Sequence, residues 1–357
     1  MDTIIFFTKS VSIAGGKEKV LAGLANYLDT QGYLIKIVTY DGSLKNFFAL
    51  NSSIQIEALP LRSADPKKNT VLKFFELYKD IRSYKNVGQQ AAAAKTIIAT
   101  DYLIASVLFL SKKSCAKKMV VWEHLSYTIS LSTVWAFLRK NVYSRIKCIV
   151  ALNKEELQFY KNMGSSSICI ANPVEQRTLV ESSMQNIVWV GALTKDKGID
   201  DLLELGIILQ NKKAGTPIHI YGGGECLQEF SDKIKQHNLQ DILVLKGTTK
   251  GIDSIYANAG ILIVTSKHEC FPTVILEAFS FGIPAISFDC PTGPRNIITE
   301  GKDGYLIPQG NVMAMAEKIE MLLNKNEILK TMSKAAHKTS EEYKPEMIYP
   351  QWRQAIL

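Results

Sequence analysis

Residues 260–282 read GILIVTSKHECFPTVILEAFSFG. The opening run, GILIVTS, is apolar at almost every position and rich in β-branched residues. A strand covered on both faces of a parallel sheet has this pattern, whereas a strand with one wet face alternates. From Thr273 onward the spacing becomes helical. Pro272 suits the first turn, where a helix has no use for its missing N–H, and Gly282 closes the segment. Between strand and helix lies the loop KHECFP. Two carboxylates stand in this otherwise apolar stretch, Glu269 in the loop and Glu277 in the helix, and charged groups are seldom buried without a partner. Glu277 follows Thr273 by four residues, on the same helical face and one turn deeper. There it can accept two hydrogen bonds from a sugar diol, while the free N–H groups of Thr273 and Val274 at the helix start suit a phosphate. On pattern alone, an ion pair with a neighbouring Lys or Arg accounts for Glu277 equally well.

The same strand-loop-helix unit recurs along the chain. TIIFFT (3–8), LIKIVTY (34–40), TIIA (96–99), KMVVWE (118–123), CIVAL (148–152) and SICIAN (167–172) form one series of strands. NIVWVG (186–191), PIHIYGGG (217–224), ILVLKG (242–247), GILIVTS, PAISFD (284–289) and GYLI (304–307) form another. Strands alternating with helices predict two doubly wound, Rossmann-like α/β domains. The predicted boundaries are a first domain over 1–171, a polar Pro-containing linker over 172–186, a second domain over 187–335 and a terminal segment over 336–357. In such sheets ligands sit at the carboxyl ends of the strands, which selects the loops that matter.

A chain of 357 residues, 46% of them hydrophobic, is long enough for two separate cores. The six cysteines are scattered with no C-x-x-C pair, which argues against a zinc site or a disulfide framework and suits a reducing cytosol. MDTIIFFTKS reads as a short strand rather than a signal peptide, and the longest apolar stretch (96–110) is interrupted by Asp101 and too short to span a bilayer. The expected location is cytoplasmic, or peripheral on the inner face of the cell membrane. Charge is uneven: residues 1–170 hold 23 Lys and Arg against 12 Asp and Glu, while the remainder is mildly acidic. Only the first half is therefore expected to face an anionic surface. Gly15 and Gly16, just before a helix, allow close backbone approach to an anion. YGGGE (221–225) is a second Gly-rich turn, for which tight packing alone is a sufficient reason.

These stretches together resemble the retaining glycosyltransferases of family 4, which have the two-domain GT-B architecture with the active site in the inter-domain cleft. The hallmark is E-x₇-E, here Glu269 to Glu277. The likeness extends through the Gly15-Gly16 loop, WEHLS (122–126), IANPVE (170–175), VGALTKDKGIDDLL (190–203), IYGGGE, GIPAISFDCPTGPRNII (282–298) and EGKDGYLI (300–307), nearly the whole chain. The resemblance implies that Glu277 binds the ribose of a nucleotide-sugar donor, most commonly a UDP-sugar. It places the diphosphate against Thr273 and Val274, beside Cys270, Phe271 and Pro272. Gly15, Gly16 and Lys197 are implied to be further diphosphate contacts, with the base near Gly247 and Thr248. Glu269 and His124 are implied to face the transferred sugar as catalytic residues. No metal or other cofactor is implied, because positive side chains and a helix end balance the leaving diphosphate.

One position departs from the family. Ala192 stands where relatives carry an Arg five residues before the lysine, and Arg295 or Lys195 is the expected replacement. The basic first domain is implied to hold a lipid-linked or oligosaccharide acceptor. The aromatic and basic segments 65–85, 112–118 and 135–147 suit an anionic membrane surface, and an ordinary solvated face over a core-packed stripe accounts for them equally well. No recognition motif accompanies the charge, so nucleic acid is not an expected partner. Pro345 and Pro350 break the last segment, which is expected to return to the first domain. The function expected from the resemblance is α-glycosyl transfer in surface-polysaccharide assembly. A low-turnover scaffold in a glycan-assembly complex and a nucleotide-sugar epimerase are the alternatives.

Overall fold

The computed structural model describes residues 1–62, 70–129, 133–179, 186–212, 215–249 and 251–357. Two compact units emerge, Met1–Ala171 with Ile348–Leu357, and Asn172–Met347.

In the first unit the strands are β1 (Thr3–Thr8), β2 (Leu34–Thr39), β3 (Gln55–Ala58), β4 (Thr96–Ala99), β5 (Met119–Trp122), β6 (Cys148–Ala151) and β7 (Ser167–Cys169). They lie in the order β3-β2-β1-β4-β5-β6-β7 with every pairing parallel. Parallel neighbours need crossovers, supplied here by α1 (Gly16–Thr30), α2 (Thr70–Ala93), α3 (Tyr102–Ser111), α4 (Thr133–Tyr143) and α5 (Lys154–Asn162). β4, β5 and β6 are buried at every residue, as their unbroken apolar runs require. The core collects Phe7, Ile97, Val121 and Ile149 from the sheet, with Leu108 and Tyr143 from the helices.

The second unit repeats the plan. Its strands are β8 (Ile187–Val190), β9 (Ile218–Tyr221), β10 (Leu243–Gly247), β11 (Ile261–Val264), β12 (Ala285–Phe288) and β13 (Gly304–Ile307), ordered β10-β9-β8-β11-β12-β13 and again all parallel. Around them run α6 (Ile199–Asn211), α7 (Leu227–Gln236), α8 (Ile252–Tyr256), α9 (Thr273–Ser280), α10 (Val312–Asn324) and α11 (Asn326–Glu341). The short α12 (Pro345–Ile348) and α13 (Arg353–Ile356) end the chain.

Three elements differ from expectation. β3 was not anticipated, because its half-buried sequence QIEA carries no strand pattern. The helix expected over 65–85 begins, within the described residues, at Thr70 and runs on to Ala93, since GQQAAA holds helical propensity without apolar periodicity. The boundary expected at 335 falls inside α11, whose buried face continues through Ala336 to Ser340, so the chain leaves the second unit only after Met347. The start of the expected linker belongs to that unit too: Val174 N–H donates to the Tyr343 carbonyl at 2.8 Å, and Ser340 Oγ donates to Gln176 Oε1 at 3.1 Å. Residues 180–185 of the linker lie outside the described residues.

Residues 348–357 pack within the first unit. Trp352 meets Trp122 edge to face with ring centroids 4.8 Å apart, and Tyr349 stacks on Tyr27 at 5.2 Å. Lys147 Nζ and Thr96 Oγ1 both donate to the Ile356 carbonyl, at 2.6 and 3.1 Å. Among the described residues, no helix is long and apolar enough to cross a membrane.

Candidate active site

A doubly wound sheet opens a crevice where its strand order reverses. In the second unit that point lies between β8 and β11. The loop after β8 carries Lys197 and the loop after β11 carries Glu269, and Lys197 Nζ meets Glu269 Oε1 at 2.6 Å. Residues 72 positions apart thus form an ion pair across the reversal. Local geometry fixes the lysine. Gly198 has φ +70°, and a Cβ there would come within 1.9 Å of the Thr265 carbonyl oxygen. Thr265 Oγ1 donates to the Lys197 carbonyl at 2.9 Å and accepts from Trp189 Nε1 at 3.0 Å. On the other side Thr292 Oγ1 donates to the Glu269 carbonyl, and Gly293 at φ +80° leaves room for Glu269 and Pro272.

α9 starts directly beyond this pair. Its N-cap is Pro272, with no side-chain cap, so the N–H groups of the first turn at Thr273 and Val274 form an electropositive end. Glu277, half-buried, lies one turn deeper. Its charge, after burial, is what raises the Tyr256 phenol well above its usual pKa, and the Tyr256 hydroxyl donates to the Val274 carbonyl at 3.3 Å. Cys270 and Phe271 turn their side chains into the core, Phe271 against Tyr343, so what they offer a ligand is backbone.

The glycines of YGGGE have a packing role. A Cβ on Gly222 would come within 1.8 Å of the Gly191 carbonyl oxygen, and one on Gly224 within 2.5 Å of that of Leu193. Gly222 N–H also donates to the Gly247 carbonyl at 2.9 Å, which brings the loop bearing Thr248 alongside. Ala192 is exposed. Neither expected replacement for the family arginine stands free: Arg295 forks onto Asp289 with two bonds of 2.8 Å, and Lys195 pairs with Asp200 and Glu229.

In the first unit the reversal lies between β1 and β4, and the loops after β1, β4 and β5 carry its chemistry. Gly15 caps α1, but the space a side chain would fill there belongs to Glu18, whose Oε2 lies 2.1 Å from a Cβ built on Gly15. A carboxylate therefore sits at the helix end where an anion was expected. Lys17, next in the same turn, lies close enough to His124 for its charge to be felt there. Burial first, and Lys17 second, hold the His124 imidazole well below its usual pKa, which keeps the ring neutral near pH 7. Its Nε2 is buried with no hydrogen-bond partner among the described residues. The ring packs on Trp122 at 4.6 Å, and Trp122 rests on Trp352.

Beneath this loop lies a polar cluster that the sequence did not disclose. Glu123 accepts from Tyr143 Oη and, at 3.2 Å, from Leu125 N–H, while Glu156 accepts from Tyr127 N–H at 3.0 Å. Burial pushes the Glu123 carboxyl up to about 7 against these bonds. The signal available was a Glu beside a His at a strand end, and nothing local marked its partners on α4 and α5.

The basic stripe expected to face outward is partly used inside the fold. Arg139 is buried over the Phe159 ring, Lys118 Nζ donates to the carbonyls of Ala92 and Ala94, and Lys147 serves Ile356. Phe137 and Lys140 are exposed. Lys67 and Lys68 lie outside the described residues. Among the described residues, no group of His, Cys, Asp and Glu is placed to hold a metal ion.

Residues 175–339, all within the second unit, match the family model of glycosyl transferases group 1. The amylovoran biosynthesis glycosyltransferase AmsD of Erwinia amylovora is 25% identical over 371 positions, covering all of both chains. A relative in Campylobacter jejuni is 22% identical and covers 96% of this chain and 95% of its own. It is named GalNAc-alpha-(1->4)-GalNAc-alpha-(1->3)-diNAcBac-PP-undecaprenol alpha-1,4-N-acetyl-D-galactosaminyltransferase. Among solved structures, HepE of Anabaena in complex with UDP and glucose superposes with a TM-score of 0.79 at 16% identity, over 100% of this chain and 99% of that one. The chain is a glycosyltransferase of the GT-B fold, with the group 1 pattern in its second unit.

Proposed function

We propose that this glycosyltransferase moves a sugar, with retention, from a UDP-sugar to a lipid-linked glycan acceptor in bacterial polysaccharide assembly. The observation that carries the reading is the Lys197–Glu269 pair at the strand reversal, directly before the uncapped start of α9. A lysine and a helix N-terminus side by side suit a diphosphate. Glu277, one turn into the helix, is assigned the ribose diol, and Thr273 and Val274 the diphosphate oxygens. Gly247 and Thr248 are assigned the base. Glu269 and the neutral His124 are assigned the transferred sugar, and Lys17 with Gly15 and Gly16 the diphosphate, which requires the Glu18 carboxylate to turn away from the helix end it occupies here. A lipid-linked acceptor is supported by the name of the Campylobacter relative, and UDP by the complex of the Anabaena protein.

In the proposed reaction the bond from the anomeric carbon to the diphosphate oxygen breaks, and the acceptor hydroxyl bonds to that carbon on the same face. The acceptor's proton passes to the departing phosphate oxygen, so the configuration is kept without a separate base. No resident metal enters this scheme.

The test is a thermal-shift panel of UDP-, GDP- and ADP-sugars with wild type and Glu277→Gln. Selective stabilisation by one UDP-sugar, lost in the variant, supports the reading, since a ligand that binds the folded state raises its melting temperature by mass action. No shift with any of them overturns it.

A further inference from the structure

Resting on the assignment of His124 to the transferred sugar, we propose that Glu123 and Glu156 are positioning residues. The two buried carboxylates hold the His124 loop by its backbone, and the Tyr143 phenol fixes Glu123 in place.

Both side chains are 1% exposed. Glu123 opens the loop directly after β5 and Glu156 stands on α5, and they hold successive points of that loop: Glu123 at Leu125 N–H, two residues on, and Glu156 at Tyr127 N–H. Glu156 is itself fixed, because its own N–H donates to the Asn153 side chain that caps α5. Burying a carboxylate is costly, and for an N–H alone a neutral amide serves at lower cost. Glu123, however, accepts from Leu125 N–H and from Tyr143 Oη through two separate oxygens, which an amide with one oxygen does not offer. Two such groups under one short loop therefore point to a demand beyond stability, and the demand is at His124. The ring is already packed on Trp122 from one side, with Nε2 unpartnered. Holding the backbone on the other side sets where that nitrogen points.

The titratable and charged groups facing Glu123 are Asp101 and Tyr102 at the start of α3, and Arg139 and Tyr143 on α4. α5 adds Glu156 and Tyr160, which lie against Arg139 and Tyr143. Burial and Asp101 favour the neutral form of Glu123, whereas Tyr143, Leu125 N–H and Arg139 favour the ionised form. The ionised carboxylate accepts both bonds at once. A proton on Oε1 removes the acceptor for Leu125 N–H, and a proton on Oε2 makes Tyr143 Oη change from donor to acceptor, so the hold on the loop weakens. His124 does not titrate in the same range, since its own pKa lies well below the usual value.

The experiment reads UDP release by the full chain from UDP-glucose, UDP-galactose and UDP-N-acetylglucosamine, from about pH 5 to about pH 9. Wild type, Glu123→Gln, Tyr143→Phe and His124→Ala are compared, with circular dichroism to confirm folding. The wild-type kcat should climb through about pH 7. Glu123→Gln should flatten that acid limb and lower kcat by roughly tenfold or more, with KM for the donor unchanged. Tyr143→Phe removes a bond to the ionised form, so it should move the limb to higher pH. An acid limb that persists in Glu123→Gln, or stays in place in Tyr143→Phe, overturns the inference; if Glu123→Gln does not fold, the Tyr143→Phe limb decides. Full turnover in His124→Ala overturns the sugar-site assignment and this inference with it. Loss of turnover there together with an unmoved limb in Tyr143→Phe overturns the inference alone.

Discussion

Arg295, the expected stand-in for the arginine absent at Ala192, is engaged by a carboxylate in this structure. Its fork with Asp289 is partly exposed, the two side chains retaining 43% and 30% of their accessibility. Pairs in such settings contribute about 0–1 kcal/mol. A charge-assisted bond to a desolvated diphosphate contributes about 1.5–3 kcal/mol, so the guanidinium would gain by exchanging Asp289 for one. We therefore expect Arg295→Ala to weaken UDP binding by roughly ten- to a hundredfold, read by isothermal titration calorimetry, with little change in melting temperature. An unchanged Kd would leave Ala192 uncompensated. Lys195 is a poorer substitute, because Asp200 and Glu229 both hold it and Lys233 ties the same two carboxylates. At this scale the sequence was legible where chemistry is local. The spacing of Glu269 and Glu277 placed both carboxylates at one loop and helix start. The contact of Glu269 with Lys197 was not, because only the fold brings β8 beside β11.

At the scale of elements, the loops at the strand ends are held by backbone packed on backbone. Gly198 is the clearest case: positive φ and the Thr265 carbonyl 1.9 Å from any Cβ exclude every other residue. Gly310 has a similar φ of +77° but nothing within 4 Å of its absent Cβ. Gly310→Ala should therefore cost about 1 kcal/mol, the backbone term alone. Gly198→Ala should cost roughly 3 kcal/mol or more and displace Lys197, which urea melts and donor titration together would reveal. Equal costs at the two sites would show that the loop yields to the intrusion. The buried parallel strands could be read from sequence because covering both faces leaves unbroken runs such as ILIV and CIVA. β3 could not, since an edge strand with half-buried QIEA looks like any polar turn. Nor could the end of α2, where alanine and glutamine sustain a helix without an apolar stripe to announce it.

For the whole molecule, pH couples the candidate site to stability. Glu123, raised from 4.5 to about 7, binds a proton more readily folded than unfolded. Glu156, Asp201 and Asp303 are shifted in the same direction. Stability from such groups is fully present below the unfolded pKa and is lost as pH rises through the folded one. His124 and His219 are lowered and act the opposite way below pH 6.5, since the unfolded chain takes up their protons first. The wild-type profile mixes these trends, so the informative quantity is the difference between Glu123→Gln and wild type. That difference should grow in the variant's favour from about pH 4.5 to about pH 7 and then level off. Its total is on the order of 3 kcal/mol, following from a shift of some units at about 1.4 kcal/mol each. Urea melts at several pH values measure it, and a constant difference would show that Glu123 titrates normally. Turnover should run the other way, rising as Glu123 ionises. A carboxylate that lowers stability over the same range in which it supports activity is what a strained functional site requires, and an ordinary cap under a surface loop would show no such opposition.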